Sequence, residues 1–358
     1  MSGTRRPKVL FITVADNRIG FGHLNRCLSV ATLAAATGMA PQFVVFGDEL
    51  AAAQVTHSKF FFQMLPMADL AREFRSESVD AAVVDVIYPA FFRDENAPMN
   101  LFGPLRLAAR AVAAIDSLGE ETIAEQAREI PIDFLVVPYA LAEADRARLS
   151  KMDCATLAGP DYALLSSDYI GLPNREKRTK ADRVLVTCGG SDPLGWTAVV
   201  IRGLESVVDP LSVRVVAGPL FSAALRADIG ALAATSTHRI EIVDAPDNLA
   251  AHMQWCDIAI AASGLTKYEL AASGTPTILF SIDAFHDVNN RAFAALQVAQ
   301  DLGAAPSEKS IAEAARSLLA DRGRREAVAA TGRQLVDGRG AQRLIAKIME
   351  KLSCSEKN

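Results

Sequence analysis

The sequence predicts two doubly wound α/β domains in tandem, each built on a parallel sheet. Three observations predict this. Short apolar, β-branched runs recur along the chain, Ala- and Leu-rich segments with helical spacing separate them, and the alternation starts afresh near residue 182. Continuous apolar runs of this length mark strands covered on both faces, as in buried parallel sheets. The 358 residues, 50% hydrophobic and 22% charged, suffice for two cores.

The first series of strands comprises VLFITVA (9–15), PQFVVFG (41–47), DAAVVDVI (80–87), AVAAID (111–116) and DFLVVP (133–138). The second comprises DRVLVTCGG (182–190), LSVRVVAG (211–218), HRIEIVD (238–244), CDIAIAASG (256–264) and TPTILFSI (275–282). Between them SSDYIGLPNREKRTKADR (166–183), polar and charged with Pro and Gly, reads as a linker. The expected domains are therefore 1–165 and 184–335, followed by a segment 336–358. In that segment Leu344, Ile345, Ile348 and Leu352 share a helical face, a candidate to pack back across the domains.

A formal net charge of −5 offers no basic field for a phosphate backbone, which argues against nucleic acid and leaves small anions held at local sites. The five cysteines (Cys27, Cys154, Cys188, Cys256 and Cys354) are scattered, with no C-x-x-C pair and no zinc-ligand spacing, and read as reduced thiols of a cytoplasmic protein. MSGTRRPKVLF has too short an apolar run for a signal sequence, and no stretch nears the roughly 18 apolar residues of a membrane helix. Peripheral membrane contact stays open, as does oligomeric state. The segment PAFFRDENAPMNLFGPLR (89–106), with Phe91, Phe92, Met99, Leu101 and Phe102, reads either as a lid facing an acceptor or membrane, or as a packed insertion.

In open parallel sheets ligands bind beyond the carboxyl ends of strands, so the chemistry is sought in the loops that follow them, facing a cleft between the domains. IGFGHLNRCLSVA (19–31) follows the first strand: Gly20 and Gly22 permit a tight turn, and a helix begins near His23. Asn25 occupies the third glycine position of a dinucleotide fingerprint, so a nicotinamide site loses its support. His23 is either a general base or a polar residue at a helix start, and its address favours the base.

CGGSDPLGWT (188–197) places Gly190 and Ser191 toward a ligand, or else Ser191 and Asp192 cap a helix beginning near Pro193. AASGLTKYELAASGTP (261–276) puts Ser263, Gly264, Leu265 and Thr266 between a strand and a helix, a setting suited to a diphosphate. Glu269 either closes a T-x-x-E capping box or accepts two ribose hydroxyls. Asp283, His286 and Asp287 lack a fourth metal ligand, so no metal is expected there. Asn289 and Asn290 either bind phosphate or sugar, or cap the following helix.

Five motifs, IGFGHLNRCLSVA (19–31), AGPDYALLSSDY (158–169), VLVTCGGSDPLGWT (184–197), MQWCDIAIAASGLTKYELAASGTP (253–276) and DGRGAQRL (337–344), occur in an order that resembles the GT-B nucleotide-sugar enzymes. More narrowly, they resemble the UDP-2,4-diacetamido-2,4,6-trideoxy-β-L-altropyranose hydrolases of pseudaminic acid synthesis and their spore-coat polysaccharide relatives. The resemblance implies two Rossmann-like domains facing a central cleft, and a UDP-sugar as small-molecule partner. It implies His23 as the base that activates water or an acceptor hydroxyl. It further implies that Ser263, Gly264 and Thr266 hold the diphosphate, that Glu269 holds the ribose, and that Asn289 or Asn290 makes polar phosphate contacts. The other substrate-binding candidates are Asp16, Gly20, Gly22, Asn25, Tyr88, Gly190, Ser191, Leu265 and His286. UDP would leave without a metal or cofactor, and the anomeric centre would invert.

The chain departs from the family where Val14 replaces an arginine ahead of Asp16, and where DVIYP (85–89) displaces Tyr88 by one residue from the family's Asp-His-Tyr element. FHDVNN (285–290) looks more like the donor loop of transferases. The expected reaction is hydrolysis of a UDP-linked amino or deoxy sugar. An inverting glycosyltransferase and a non-catalytic nucleotide-sugar binding protein are the competing readings.

Overall fold

The computed structural model describes residues 5–16, 19–70, 72, 74, 75, 77–86, 96–116, 130–176, 178, 180–246 and 248–355. The chain divides into two compact units, Met1–Ser167 with Arg339–Asn358, and Asp168–Gly338. Both are Rossmann-like α/β domains on parallel sheets.

In the first unit the strands are β1 (Lys8–Ala15), β2 (Ala40–Gly47), β3 (Phe61–Leu65), β4 (Val79–Asp85), β5 (Ala109–Ile115), β6 (Phe134–Val137) and β7 (Ala155–Ala158). They lie in the order β3-β2-β1-β4-β5-β6-β7, every pair parallel. The helices α1 (Gly22–Ala36), α2 (Glu49–Ser58), α3 (Ala97–Ala108) and α4 (Glu143–Leu149) intervene. Alternation along β1 explains why the run is apolar throughout: Leu10, Ile12 and Val14 enter one layer of core, Val9, Phe11 and Ala15 the other.

In the second unit β8 (Arg183–Thr187), β9 (Ser212–Ala217), β10 (Arg239–Asp244), β11 (Ile258–Ala262), β12 (Thr277–Ser281) and β13 (Gln300–Ala304) form a parallel sheet in the order β10-β9-β8-β11-β12-β13. Its helices are α5 (Trp196–Leu204), α6 (Ala223–Thr235), α7 (Ala250–Trp255), α8 (Thr266–Ala272), α9 (Ala284–Ala294), α10 (Glu308–Ala320) and α11 (Arg322–Leu335). The last helix, α12 (Gly340–Ser355), returns to the first unit and buries Ala341, Leu344, Ile345, Ile348 and Leu352 in its core beside α1.

Strand order reverses between β1 and β4 in the first sheet and between β8 and β11 in the second. Such a switch point opens a crevice at the carboxyl ends of the strands, where ligands of doubly wound sheets bind. It fixes where to look in each unit.

Some details differ from the sequence expectation. β3, β7 and β13 carry no long apolar run and were not anticipated. Much of 166–183 is anchored to the second unit: the Arg175 guanidinium donates to Met253 O and to Thr275 Oγ1 at 2.9 Å, and Arg178 pairs with Asp257 at 2.9 Å. Of the segment 89–106, Phe91 and Phe92 lie outside the described residues. Leu101 and Phe102 are buried in α3, while Met99 and Leu107 face solvent. Among the described residues no helix is long and apolar enough to cross a membrane.

Candidate active site

The turn after β1 is built by Asp16, which is buried. Its Oδ1 accepts from Ile19 N at 2.7 Å and its carbonyl from Gly20 N at 2.8 Å, a reversal that Gly20 completes with φ +78°. Space around Gly20 and Gly22 is open. α1 then starts at Gly22 with no side-chain cap and no acidic residue in its first turn.

His23 stands at this start, its side chain 18% exposed, with Nδ1 2.6 Å from Oδ1 of Asp85. Asp85 is the last residue of β4, so the pair spans the switch point of the first sheet. One turn along α1, Arg26 is buried and clamps the same carboxylate: Nε donates to Oδ2 at 2.8 Å and Nη2 to Oδ1 at 2.9 Å, while Nη1 donates to the Tyr139 hydroxyl at 2.6 Å. Spacing i, i+3 places His23 and Arg26 on one face of the helix.

Burial pushes the Asp85 carboxyl up, but Arg26 and His23 outweigh it by charge and hydrogen bonds and hold it below the usual carboxylate range. Burial also opposes the charge on Arg26, and Asp85 more than compensates. A carboxylate only accepts, and at 2.6 Å Asp85 is closer to Nδ1 than is the Arg26 Nη2 donor at 2.9 Å, which already donates to the same carboxylate; the proton of a neutral His23 is therefore assigned to Nδ1, with Nε2 as the basic nitrogen. Asn25, 200° round the helix from His23, is exposed and accepts from Gln54 Nε2 at 3.3 Å, which ties it to α2. Tyr88 lies outside the described residues.

In the second unit the loop after β8 is shaped by Asp192, whose carboxylate accepts from Trp196 N and Thr197 N, each at 2.8 Å. The helix therefore begins at Trp196 and not near Pro193, and its positive end is already satisfied by an anion. Ser191 does not cap it. Gly190 O accepts from Leu220 N at 2.9 Å, and a Cβ on Gly218 would come within 2.3 Å of that oxygen, so the loop is pinned to the one after β9.

The turn after β11 differs. Ser263 Oγ donates to Phe280 O at 3.2 Å, Gly264 adopts φ +116° with open space around it, and α8 starts after Leu265 with no side-chain cap. The capping box, one of the two readings of T-x-x-E, is not formed. The Glu269 carboxylate instead accepts from the hydroxyls of Thr266 and Tyr169, and burial pushes it up to about 7 against those two bonds.

Asn290 is fully buried within α9 and caps nothing. Its Oδ1 accepts from Lys267 Nζ at 3.0 Å and its Nδ2 donates to Phe280 O and Ser281 Oγ at 3.1 Å each, so its carboxamide is turned inward, away from any phosphate. Burial brings Lys267 down to about 7. Asn289 is half-buried. His286 Nδ1 lies 2.7 Å from Oδ1 of Asp283, the residue that caps α9. Among the described residues no group of three His, Cys, Asp or Glu side chains is placed to hold a metal ion.

Within the first unit the structure thus joins Asp16, Gly20, Gly22 and His23 around one turn. Within the second it joins Ser263, Gly264, Leu265, Thr266 and Glu269 around another. Asp85, Arg26, Tyr139, Tyr169 and Lys267 carry the electrostatics of these turns without having been assigned a role from sequence. Asp85 alone had a usable signal, an acidic residue inside the otherwise apolar run AAVVDVI (81–87).

Two Rossmann-like domains on parallel sheets are the architecture of the GT-B fold, which the solved structures this chain resembles share. The MurG structure of Acinetobacter baumannii superposes with a TM-score of 0.63 at 17% identity over 96% of this chain and 100% of that one. The UDP-GlcNAc 2-epimerase of Neisseria meningitidis, bound to UDP-GlcNAc, gives 0.60 at 13% identity over 96% and 100%. By sequence the chain is 27% identical over 198 residues to the spore coat polysaccharide biosynthesis protein SpsG of Bacillus subtilis, covering 54% of this chain and 57% of SpsG. It spans only 26% of a second curated relative. No family model matches.

Proposed function

We propose that this chain cleaves a UDP-sugar at its anomeric carbon, with His23 as general base and water as the nucleophile, in the synthesis of a surface polysaccharide or nonulosonic acid. The observation that carries the reading is the His23–Asp85 pair at the switch point of the first sheet. A histidine oriented through Nδ1 by a buried carboxylate presents Nε2 as an acceptor for a proton. Nε2 takes a proton from water, the water oxygen forms its bond to the anomeric carbon, and the bond from that carbon to the diphosphate oxygen breaks with the electron pair leaving on UDP. Attack opposite the leaving group inverts the centre.

The second unit holds a turn suited to a diphosphate. The turn Ser263–Thr266, uncapped and open at Gly264, offers backbone N–H groups to the diphosphate, and Glu269 accepts the ribose hydroxyls. Asp192 makes the loop after β8 a poor place for a phosphate, because its carboxylate already fills the amides at the start of α5. The sequence likeness to SpsG and the UDP-GlcNAc bound to a structural neighbour support a nucleotide-sugar as substrate class.

The test is acceptor-free turnover. A panel of UDP-N-acetylamino sugars, including the 2,4-diacetamido-trideoxy sugar, is incubated with wild type and His23→Ala, and UDP and free sugar are measured. Release with an inverted product, lost by at least about 100-fold in His23→Ala, is expected of a general base. Binding of the UDP-sugar with no release until a hydroxyl acceptor is added would replace water by that acceptor and make the chain a glycosyltransferase. Binding without turnover under either condition would leave a nucleotide-sugar binding protein.

A further inference from the structure

A buried carboxylate 2.6 Å from an imidazole orients the ring but also favours a second proton on it. Asp85 is not alone. We propose that Arg26 is a positioning residue for His23: by binding both oxygens of Asp85 it makes that carboxylate a charge-balanced, fixed acceptor, so the ring keeps one proton on Nδ1 and an open Nε2. This rests on the reading of His23 as the base.

Three features of the geometry carry it. The guanidinium meets the carboxylate side on, Nε to Oδ2 and Nη2 to Oδ1, the planar fork that a lysine does not reproduce. Its Nη2 also lies 2.9 Å from Nδ1 of His23, so a full cation abuts the ring and opposes a second positive charge there. The remaining arm, Nη1, is anchored on the Tyr139 hydroxyl, and the whole side chain is 8% exposed. Buried and committed at three of its nitrogens, Arg26 is turned toward Asp85 and not toward a substrate.

The other ionisable groups facing this assembly come from each element around it. Cys27 lies beside Arg26 on α1, its thiol pushed up by burial and by Asp85. Tyr139 follows β6 and Asp116 follows β5, and burial raises the Tyr139 hydroxyl although Arg26 draws it down. Asp16 is spent on its turn after β1. Among the described residues, Arg26 is the full positive charge in contact with the His23 ring.

The experiment titrates the five histidines by NMR in protein carrying 15N-histidine, with His23 assigned by its loss in His23→Gln. Arg26→Gln removes the guanidinium from Asp85 and from Nδ1 of His23, and the His23 midpoint is expected to rise by about one pH unit. Arg26→Lys keeps the charge and the fold but gives up the fork, and a rise of about half that is expected, which keeps the test decisive if Arg26→Gln does not fold. A purely structural arginine would lower the unfolding temperature and leave the midpoint where it is. An unchanged His23 midpoint in either folded variant overturns the proposal. The acid limb of kcat/KM is followed alongside: a midpoint that moves in a protein showing no turnover of UDP-sugars would sink the reading of His23 as a base and leave the positioning by Arg26 standing.

Discussion

Glu269 is a carboxyl group that the fold makes reluctant to ionise. Burial lifts it to about 7, while the Thr266 and Tyr169 hydroxyls pull it partly back. To accept two ribose hydroxyls it must be charged, so binding of the nucleotide end competes with a proton. A group with a pKa of about 7 is roughly tenfold more ionised at pH 8 than at pH 6, and affinity for UDP-GlcNAc is expected to tighten about tenfold over that interval. The diphosphate diester has no proton of its own to lose in that range, and comparison with Glu269→Gln by calorimetry separates Glu269 from Lys267, which burial also brings to about 7. A flat profile in wild type, or a slope that survives in Glu269→Gln, would refute the assignment. The same raised pKa has a stability consequence of definite sign: the contribution of Glu269 to folding is fully present below its unfolded value of 4.5 and is lost as pH rises through about 7. His23 and Glu269 are legible from sequence because each occupies a particular address, the first turn of a helix that follows a strand. Their partners are not: 62 residues separate His23 from Asp85, and 100 separate Glu269 from Tyr169, and only the sheet order brings Asp85 beside the turn after β1.

At the scale of elements, the starts of the helices sort themselves by whether an acid already occupies them. α5 is closed by Asp192 and α9 by Asp283, whereas α1 and α8 have no side-chain cap. Asp192→Ala removes the acceptor of two amides at once, those of Trp196 and Thr197. The loss is expected to cost about 1–2 kcal/mol, read as a lower urea midpoint of the second unit, and a change below a few tenths would show that the cap is not needed. Sequence patterning finds the central strands and the edge strand β10, whose Ile240 and Ile242 alternate with polar residues, but loses the other three edge strands, β3, β7 and β13, for a physical reason. β1, β4, β8 and β11 are covered on both faces, so their central residues form continuous apolar runs. β3 is an edge strand with Phe61 largely exposed, and β13 (QDLGA) is an edge strand with no fully buried residue. β7 has four residues, one of them buried. Helix starts were displaced where a side chain three or more residues upstream provides the cap, as Asp192 does.

For the molecule as a whole, the division of the chain is not the division of the sequence, because the last helix belongs to the first unit. Ala341, Leu344, Ile345, Ile348 and Leu352 form the apolar stripe of α12 and lie in one core with Val9, Phe11 and Leu24. Polar ties add to it: Arg110 donates to Leu352 O at 2.6 Å, and Lys351 pairs with Asp133 at 2.9 Å. Burial of the four large side chains is worth about 6–12 kcal/mol at roughly 1.5–3 each, comparable with the ~5–15 kcal/mol that holds a typical domain together. Removal of residues 339–358 is therefore expected to unfold the first unit, although nothing of its sheet has been deleted. The consequence can be read unit by unit, since both tryptophans, Trp196 and Trp255, lie in the second. The truncated chain should lose about half of its far-UV ellipticity while its tryptophan fluorescence keeps a cooperative urea transition. A milder variant, Ile345→Asp, places an unpaired charge in the same core and should lower the first unit's transition with the fluorescence transition unmoved. Retention of the full ellipticity by the truncated chain would mean that α12 is an accessory to the first unit's core and not a part of it.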